Sequence, residues 1–282
     1  MKKKSLFIVA MMALGMTMSA AELTVISTEK IGLSEETHHP TLSPDGDVVL
    51  FTKANYKGLK SLNLVNGEVE MIDASEGAGF EPVFTDNGKE VLYRTLSYED
   101  GLGKQDVKRY DMVSGEKLQI VKPSRDIVNT KALANKVYTT PFATKQAIEI
   151  AVNGDKKEIN PIQDGHRYIW SAISPSNGKL MFNEIYSGLY VSNLDGTKAV
   201  HLATRADFPC WAGDKYVIAL KTKDDGYVIT SAKVIAINIE TKEVVELTND
   251  DTLVAGVTAT ADKIVYTTEN GEMYLMNIKI TE

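Results

Sequence analysis

One short turn limits this chain more than any other feature. Ser43-Pro44-Asp45-Gly46 stands between two apolar runs, and variants of it return along the sequence at a nearly fixed step. Proline presets φ, aspartate bonds to its own turn, and glycine tolerates positive φ, so the turn joins two strands and breaks any helix. The first copy runs from His39 to Phe51 and is followed by Ser61–Leu64 and Val69–Ile72. A second runs from Glu81 through Asp86-Asn87-Gly88 to Tyr93, and a fourth is plain at Ser174-Pro175-Ser176-Asn177-Gly178. The fifth and sixth start at Cys210-Trp211-Ala212 and Thr260-Ala261-Asp262, and a weaker third copy runs through Lys131–Tyr138 and Ile148–Gly154 without the Pro-Asp-Gly turn. Counted from Ser43 to Thr85, Ala134, Ser174, Ala212 and Thr260, the steps are 42, 49, 40, 38 and 48 residues. That is the length of a four-stranded propeller blade. The fold class is therefore all-β, a six-bladed β-propeller.

The ring needs a closure. After Met273–Ile278 the last repeat has no fourth strand, whereas Leu23–Thr28 and Ile31-Gly32-Leu33 are strand formers without a blade. Pairing the amino-terminal segment as the outer strand of blade six removes both open edges. The aromatic residues Tyr93, Tyr138, Phe182 and Tyr266, each in a second strand, are expected in the cores between blades.

Lys2-Lys3-Lys4, the apolar run Leu6–Met16 and the small residues Ser19, Ala20 and Ala21 have the order of a secretory signal, with cleavage expected after Ala21. The expected domains are a signal peptide over residues 1–21 and a single propeller over 22–282. The apolar run is short of the roughly 20 residues a membrane span needs, so no stable membrane insertion is expected. No cysteine follows the cleavage site to carry a lipid. The net charge of -7, from 31 basic and 38 acidic residues, argues against a nucleic-acid partner. Cys210 is the only cysteine, which excludes an internal disulfide, and its apolar setting suits a small hydrophobe better than a nucleophile.

The Ser43-Pro44-Asp45-Gly46 and Ser174-Pro175-Ser176-Asn177-Gly178 repeats resemble those of the TolB-like family, Ser-Pro-Asp-Gly relatives of WD40 repeats, over essentially the whole mature chain. The resemblance is to the propeller domain alone. It implies an exported, non-enzymatic module, periplasmic or secreted in a Gram-negative bacterium, that binds a protein or peptide partner or a glycan as a monomer. Similar propellers cap prolyl-oligopeptidase-type hydrolases, but no Gly-x-Ser-x-Gly nucleophile elbow occurs here. The alternative is a propeller lyase or hydrolase acting on an acidic oligosaccharide. TolB-like propellers include oligogalacturonate lyases, seven-bladed enzymes whose metal is held partly by histidines, and only His38 and His39 match that pattern.

In a propeller, the connections leading into the innermost strands meet at one mouth of the central channel. The expected rim is His38 and His39 from blade one, Glu81 from blade two, Arg125 and Asn129 from blade three, His166, Arg167 and Trp170 from blade four, and Arg205 and Asp207 from blade five. His39 and Glu81 hold matching positions in adjacent repeats and are expected to face each other. No catalytic residue, metal site or cofactor is assigned. Asp224-Asp225 and Asn249-Asp250-Asp251 lack the alternating spacing of a calcium loop and are expected as solvated turn tips.

Overall fold

In the computed structural model, residues 23–126, 128–139, 147–163 and 165–281 are described. The signal-sequence reading of residues 1–21 lies outside them. The amino-terminal strand β1 (Leu23–Ile31) precedes six small sheets. Blade one is β2 (His38–Leu42), β3 (Val48–Thr52), β4 (Leu59–Asn63) and β5 (Val69–Asp73). Blade two is β6 (Val83–Phe84), β7 (Glu90–Glu99), β8 (Leu102–Asp111) and β9 (Lys117–Ser124). Helix α1 (Thr130–Leu133) leads into blade three, formed by β10 (Val137–Thr139), β11 (Ile148–Val152) and β12 (Asp155–Ile159). Blade four is β13 (Tyr168–Ile173), β14 (Lys179–Glu184), β15 (Gly188–Asn193) and β16 (Val200–Ala203). Blade five is β17 (Asp207–Ala212), β18 (Tyr216–Asp224), β19 (Ile229–Asn238) and β20 (Val244–Glu246). Blade six is β21 (Val254–Ala259), β22 (Lys263–Thr268), β23 (Met273–Ile280) and, outermost, β1.

The recurring turn is built as its chemistry predicts. Ser43 Oγ donates to Asp45 and accepts from Val48 N, while Gly46 sits at φ 73°. Thr85 with Asn87 and Thr260 with Asp262 repeat the hydroxyl-to-side-chain bond in blades two and six. Beyond the turn, each second strand is buried on both faces, so it reads as a continuous apolar run instead of alternating. Successive side chains then serve opposite neighbours. Val49 and Phe51 pack toward blade six, and Leu50 toward blade two. Val217 and Ala219 face blade four, while Ile218 and Leu220 face blade six. The described core divides into six clusters, one at each junction between neighbouring blades, and Tyr93, Tyr138, Phe182 and Tyr266 are all buried.

Closure runs through the amino terminus. Strand β1 lies antiparallel on β23 from Leu23 opposite Ile280 to Ile31 opposite Met273, with a bulge at Val25/Ser27. Leu23 is buried between blades five and six. Leu42 N donates to Thr258 Oγ1 at 3.1 Å, which ties the inner strands of blades one and six together.

Blade three departs from the expected pattern. Lys131–Ala134, read as the first strand of a repeat, instead forms helix α1, with Ala134 as its C-cap. Asn129 caps its start, its side chain accepting from Lys131 N at 3.0 Å. The four helical residues Thr-Lys-Ala-Leu carry no alternation to oppose the cap.

Blade four depends on one glycine. Gly188, at φ 102°, opens β15, and a Cβ there would lie 2.2 Å from the Ala203 carbonyl oxygen. Gly188→Ala is expected to lower stability by about 2 kcal/mol or more, read from urea unfolding.

Candidate functional site

Four inner strands share one irregularity. His39, Glu81, Trp170 and Phe208 all have positive φ, between 48° and 52°, at matching positions two residues before the regular pairing begins. Left-handed conformation at a bulky residue costs about 1 kcal/mol or more, and strain of this kind points to a site when the backbone imposes it repeatedly. Here it turns four large side chains out of the strands at one end of the channel.

The turns joining the second and third strands reach the same end. Tyr56, from the turn between β3 and β4, stacks on His39 with ring centroids 4.2 Å apart. Phe80 meets Tyr56 edge-on at 5.1 Å, and the Arg94 guanidinium lies 5.0 Å from the Phe80 ring centre. On the far side of the ring, Trp170 and Phe208 are 4.8 Å apart. Two of these second-to-third hairpins are long. Strands β7 and β8 have 10 residues each, and β18 and β19 have 9 and 10, against 5 each for β3 and β4. Four extra residues carry a hairpin roughly 13 Å further out. They belong to blades two and five, three steps apart in a ring of six, so they stand opposite each other across the mouth. Exposed rings mark this end: Tyr98 near one tip is 65% exposed, Tyr227 at the other 96%, and Tyr186 in blade four 78%.

The polar residues of the expected rim are mostly engaged with neighbours. Glu81 pairs with Arg94 at 3.3 Å, and its carbonyl accepts from Thr130 Oγ1. His38 is buried, its Nε2 4.0 Å from Glu36. His166 Nδ1 lies 3.4 Å from the buried Glu184, and Arg205 pairs with Asp224 at 2.8 Å. Asp207 accepts from Thr222 at 2.6 Å, and Asn129 is the helix cap described above. Arg125 and Arg167 are exposed. Tyr56, Arg94, Tyr98, Tyr186 and Tyr227 were outside the expected set; hairpin length was the signal that would have located several of them.

Burial pushes the His39 imidazole below its ordinary range, with the charge of His38 adding to the effect and a bond involving the Ala54 backbone opposing it. The unfolded chain therefore binds a proton more readily than the folded one near pH 6. Stability rises with pH through that window and levels off above about 6.5. Wild type is expected to lose thermal midpoint between pH 7.5 and 5.5, and His39→Phe, which retains a ring against Tyr56, to lose less. Cys210 is inert by the same physics: burial raises its thiol to about 12.

His38 turns to Glu36, His39 stacks on Tyr56, and Glu81 is held by Arg94. Among the described residues, no three His, Cys, Asp or Glu side chains are placed to hold an ion. No helix among them is long and apolar enough to cross a membrane.

No protein-family model and no curated protein sequence matches the chain. Solved structures do. A TolB-designated protein of Agrobacterium tumefaciens superposes with a TM-score of 0.59 at 14% identity, covering 89% of this chain and 92% of the other. TolB from Acinetobacter baumannii gives 0.54 at 12% identity over 86% of this chain. The fold is that of a TolB-like propeller. The propeller spans 56% of the Acinetobacter protein's length and 25% of that of the tricorn protease, which it also matches. An oligogalacturonate lyase of Vibrio parahaemolyticus has a similar fold, with a TM-score of 0.50 at 11% identity over 88% of this chain and 79% of the lyase.

Proposed function

We propose that this TolB-like propeller is an exported, non-enzymatic binding module of the bacterial envelope, acting as a monomer, whose mouth takes a protein or peptide segment. The observation that carries this reading is the set of rings at one channel end between two opposed hairpins, several of them exposed. Charged groups at the mouth largely neutralise one another in pairs, whereas Phe208 presents apolar surface and Trp170, Tyr186 and Tyr227 present apolar rings with a polar tip. Such residues are the usual anchors of protein interfaces, since they bury much area while freezing few rotatable bonds. An extended segment lying between the hairpins would cover them.

The lyase reading has no comparable support. Among the described residues, His38 and His39 belong to no group of three side chains placed to hold an ion. The deciding experiment is capture from an envelope extract with wild type, Trp170→Ala and Tyr227→Ala as baits. A partner held by wild type and lost from either variant supports the mouth as the docking site. Equal recovery of every partner by all three rejects it.

A further inference from the structure

Part of the same rim encloses a pocket between blades one and two. A cavity of about 380 Å³ opens there, walled by Tyr56, Phe80, Arg94, Leu96, Tyr98 and Gln105. Its back is one face of the long hairpin. Leu96 is paired with Gln105 and Arg94 with Val107, so Arg94, Leu96 and Gln105 project from the same side, Arg94 and Gln105 diagonally. The front is the segment before β6, where Leu96 N donates to the Glu76 carbonyl at 2.8 Å. A Cβ on Gly77 would come within 3.1 Å of Leu96, so the wall is tight.

Two polar atoms in this pocket are buried without a partner: Arg94 Nε and Gln105 Oε1. Arg94 is only 5% exposed, and its one ion pair, to Glu81, uses a different nitrogen. Burying a donor and an acceptor unpaired costs about 1–3 kcal/mol each, a penalty that a ligand can remove. One is a donor and the other an acceptor, which is the complement of a secondary amide. The charges around the pocket balance, Lys57 and Arg94 against Glu76 and Glu81, so a neutral ligand is favoured over an ion. Tyr98, 65% exposed, leaves a ring face free for the apolar face of a saturated ring. The volume, at the low end for small-molecule sites, admits one such ring with its substituent. A peptide amide inside a chain would bring two flanking residues that the closed back wall does not admit.

We propose that this pocket binds the acetamido group and ring of an N-acetylhexosamine. The acetamide carbonyl accepts from Arg94 Nε, its N–H donates to Gln105 Oε1, and the sugar ring lies on Tyr98. The pocket shares Tyr56, Phe80, Arg94 and Tyr98 with the mouth, and the test separates the two sites through Trp170 on the far side of the ring.

Saturation-transfer NMR and titration with N-acetylglucosamine test it directly, with glucose and N-acetylglycine N-methylamide as comparison ligands. N-acetylglucosamine is expected to bind in the millimolar range, with glucose at least about tenfold weaker for want of the amide. Gln105→Leu and Tyr98→Ala should each weaken the sugar about fivefold or more with no loss of thermal midpoint, whereas Trp170→Ala should leave sugar binding as in wild type. No binding of N-acetylglucosamine up to about 50 mM, equal binding of glucose, or tighter binding of the peptide-like amide would overturn the assignment, as would full affinity in Gln105→Leu. If Trp170→Ala alone abolished sugar binding, the sugar would belong to the mouth and the pocket would be rejected.

Discussion

A chain shortened to begin at Gly32 is expected to lose its thermal midpoint by about 10 °C or more, the largest single effect predicted for this fold. The truncation removes β1, uncovers the ladder groups of β23, and takes the buried Leu23 out of the junction between blades five and six. A stability loss of about 3–5 kcal/mol follows from losing an entire outer strand with its buried anchor. The bare edge of β23 should also make the shortened protein associate as its concentration rises. Differential scanning calorimetry with sedimentation measures both consequences. A synthetic peptide spanning residues 22–31 should restore part of the midpoint, and an unchanged midpoint in the truncated chain would refute the latch.

Asp73→Ala should be the most damaging point substitution among the polar clamps between blades. Asp73 closes β5 of blade one and is buried; Tyr93 of blade two donates its hydroxyl to it at 3.0 Å, Lys108 lies 3.5 Å away, and Ser75 N donates at 2.9 Å. Burial alone would raise this carboxyl, but the bonds from Ser75 and Tyr93, with the Lys108 charge, hold it below its ordinary range. Alanine leaves a buried hydroxyl and a largely covered ammonium unpaired, an expected loss of about 2–4 kcal/mol in urea unfolding. Tyr93→Phe removes one bond and leaves Asp73 its other partners, so about 1 kcal/mol is expected. Because the carboxyl is depressed, its contribution is complete above about pH 4 and disappears as pH falls through its folded value. Wild type should therefore lose stability on acidification below pH 4 more steeply than Asp73→Ala does.

The ring was legible because its information is local and repeated. Ser-Pro-Asp-Gly and its variants determine a turn through chemistry confined to a few residues, and six repeats spaced 38 to 49 residues apart leave little freedom in how the strands join. The latch could be read from strand formers at the start and a missing strand at the end. Blade three shows the limit: Asn129 and the helix-forming run after it were read in the register of the other repeats, although an asparagine cap before Thr-Lys-Ala-Leu is a helix signal of its own. At the mouth, the sequence reading places His39, Glu81 and Trp170 just before the inner strands; in the structure Glu81 precedes β6, while His39 and Trp170 lie within β2 and β13. Their partners were not legible in sequence. Arg94 and Asp224 come from neighbouring strands, and pairings such as Glu81 with Arg94 depend on side-chain reach that no local pattern encodes. Tyr98 and Tyr227 were missed because hairpin length, and not composition, lifts them to that end.

The core is apportioned among six seams, and they are unequal. Between blades two and three the described cluster is only Val83, Leu92 and Ala134, whereas that between blades five and six draws on thirteen buried residues. Like a barrel whose hoop is sound but one of whose joints is thinly glued, the wheel has a preferred line of parting. Solvent and proteases should find their way in beside helix α1 well before they reach the stave that the amino terminus secures.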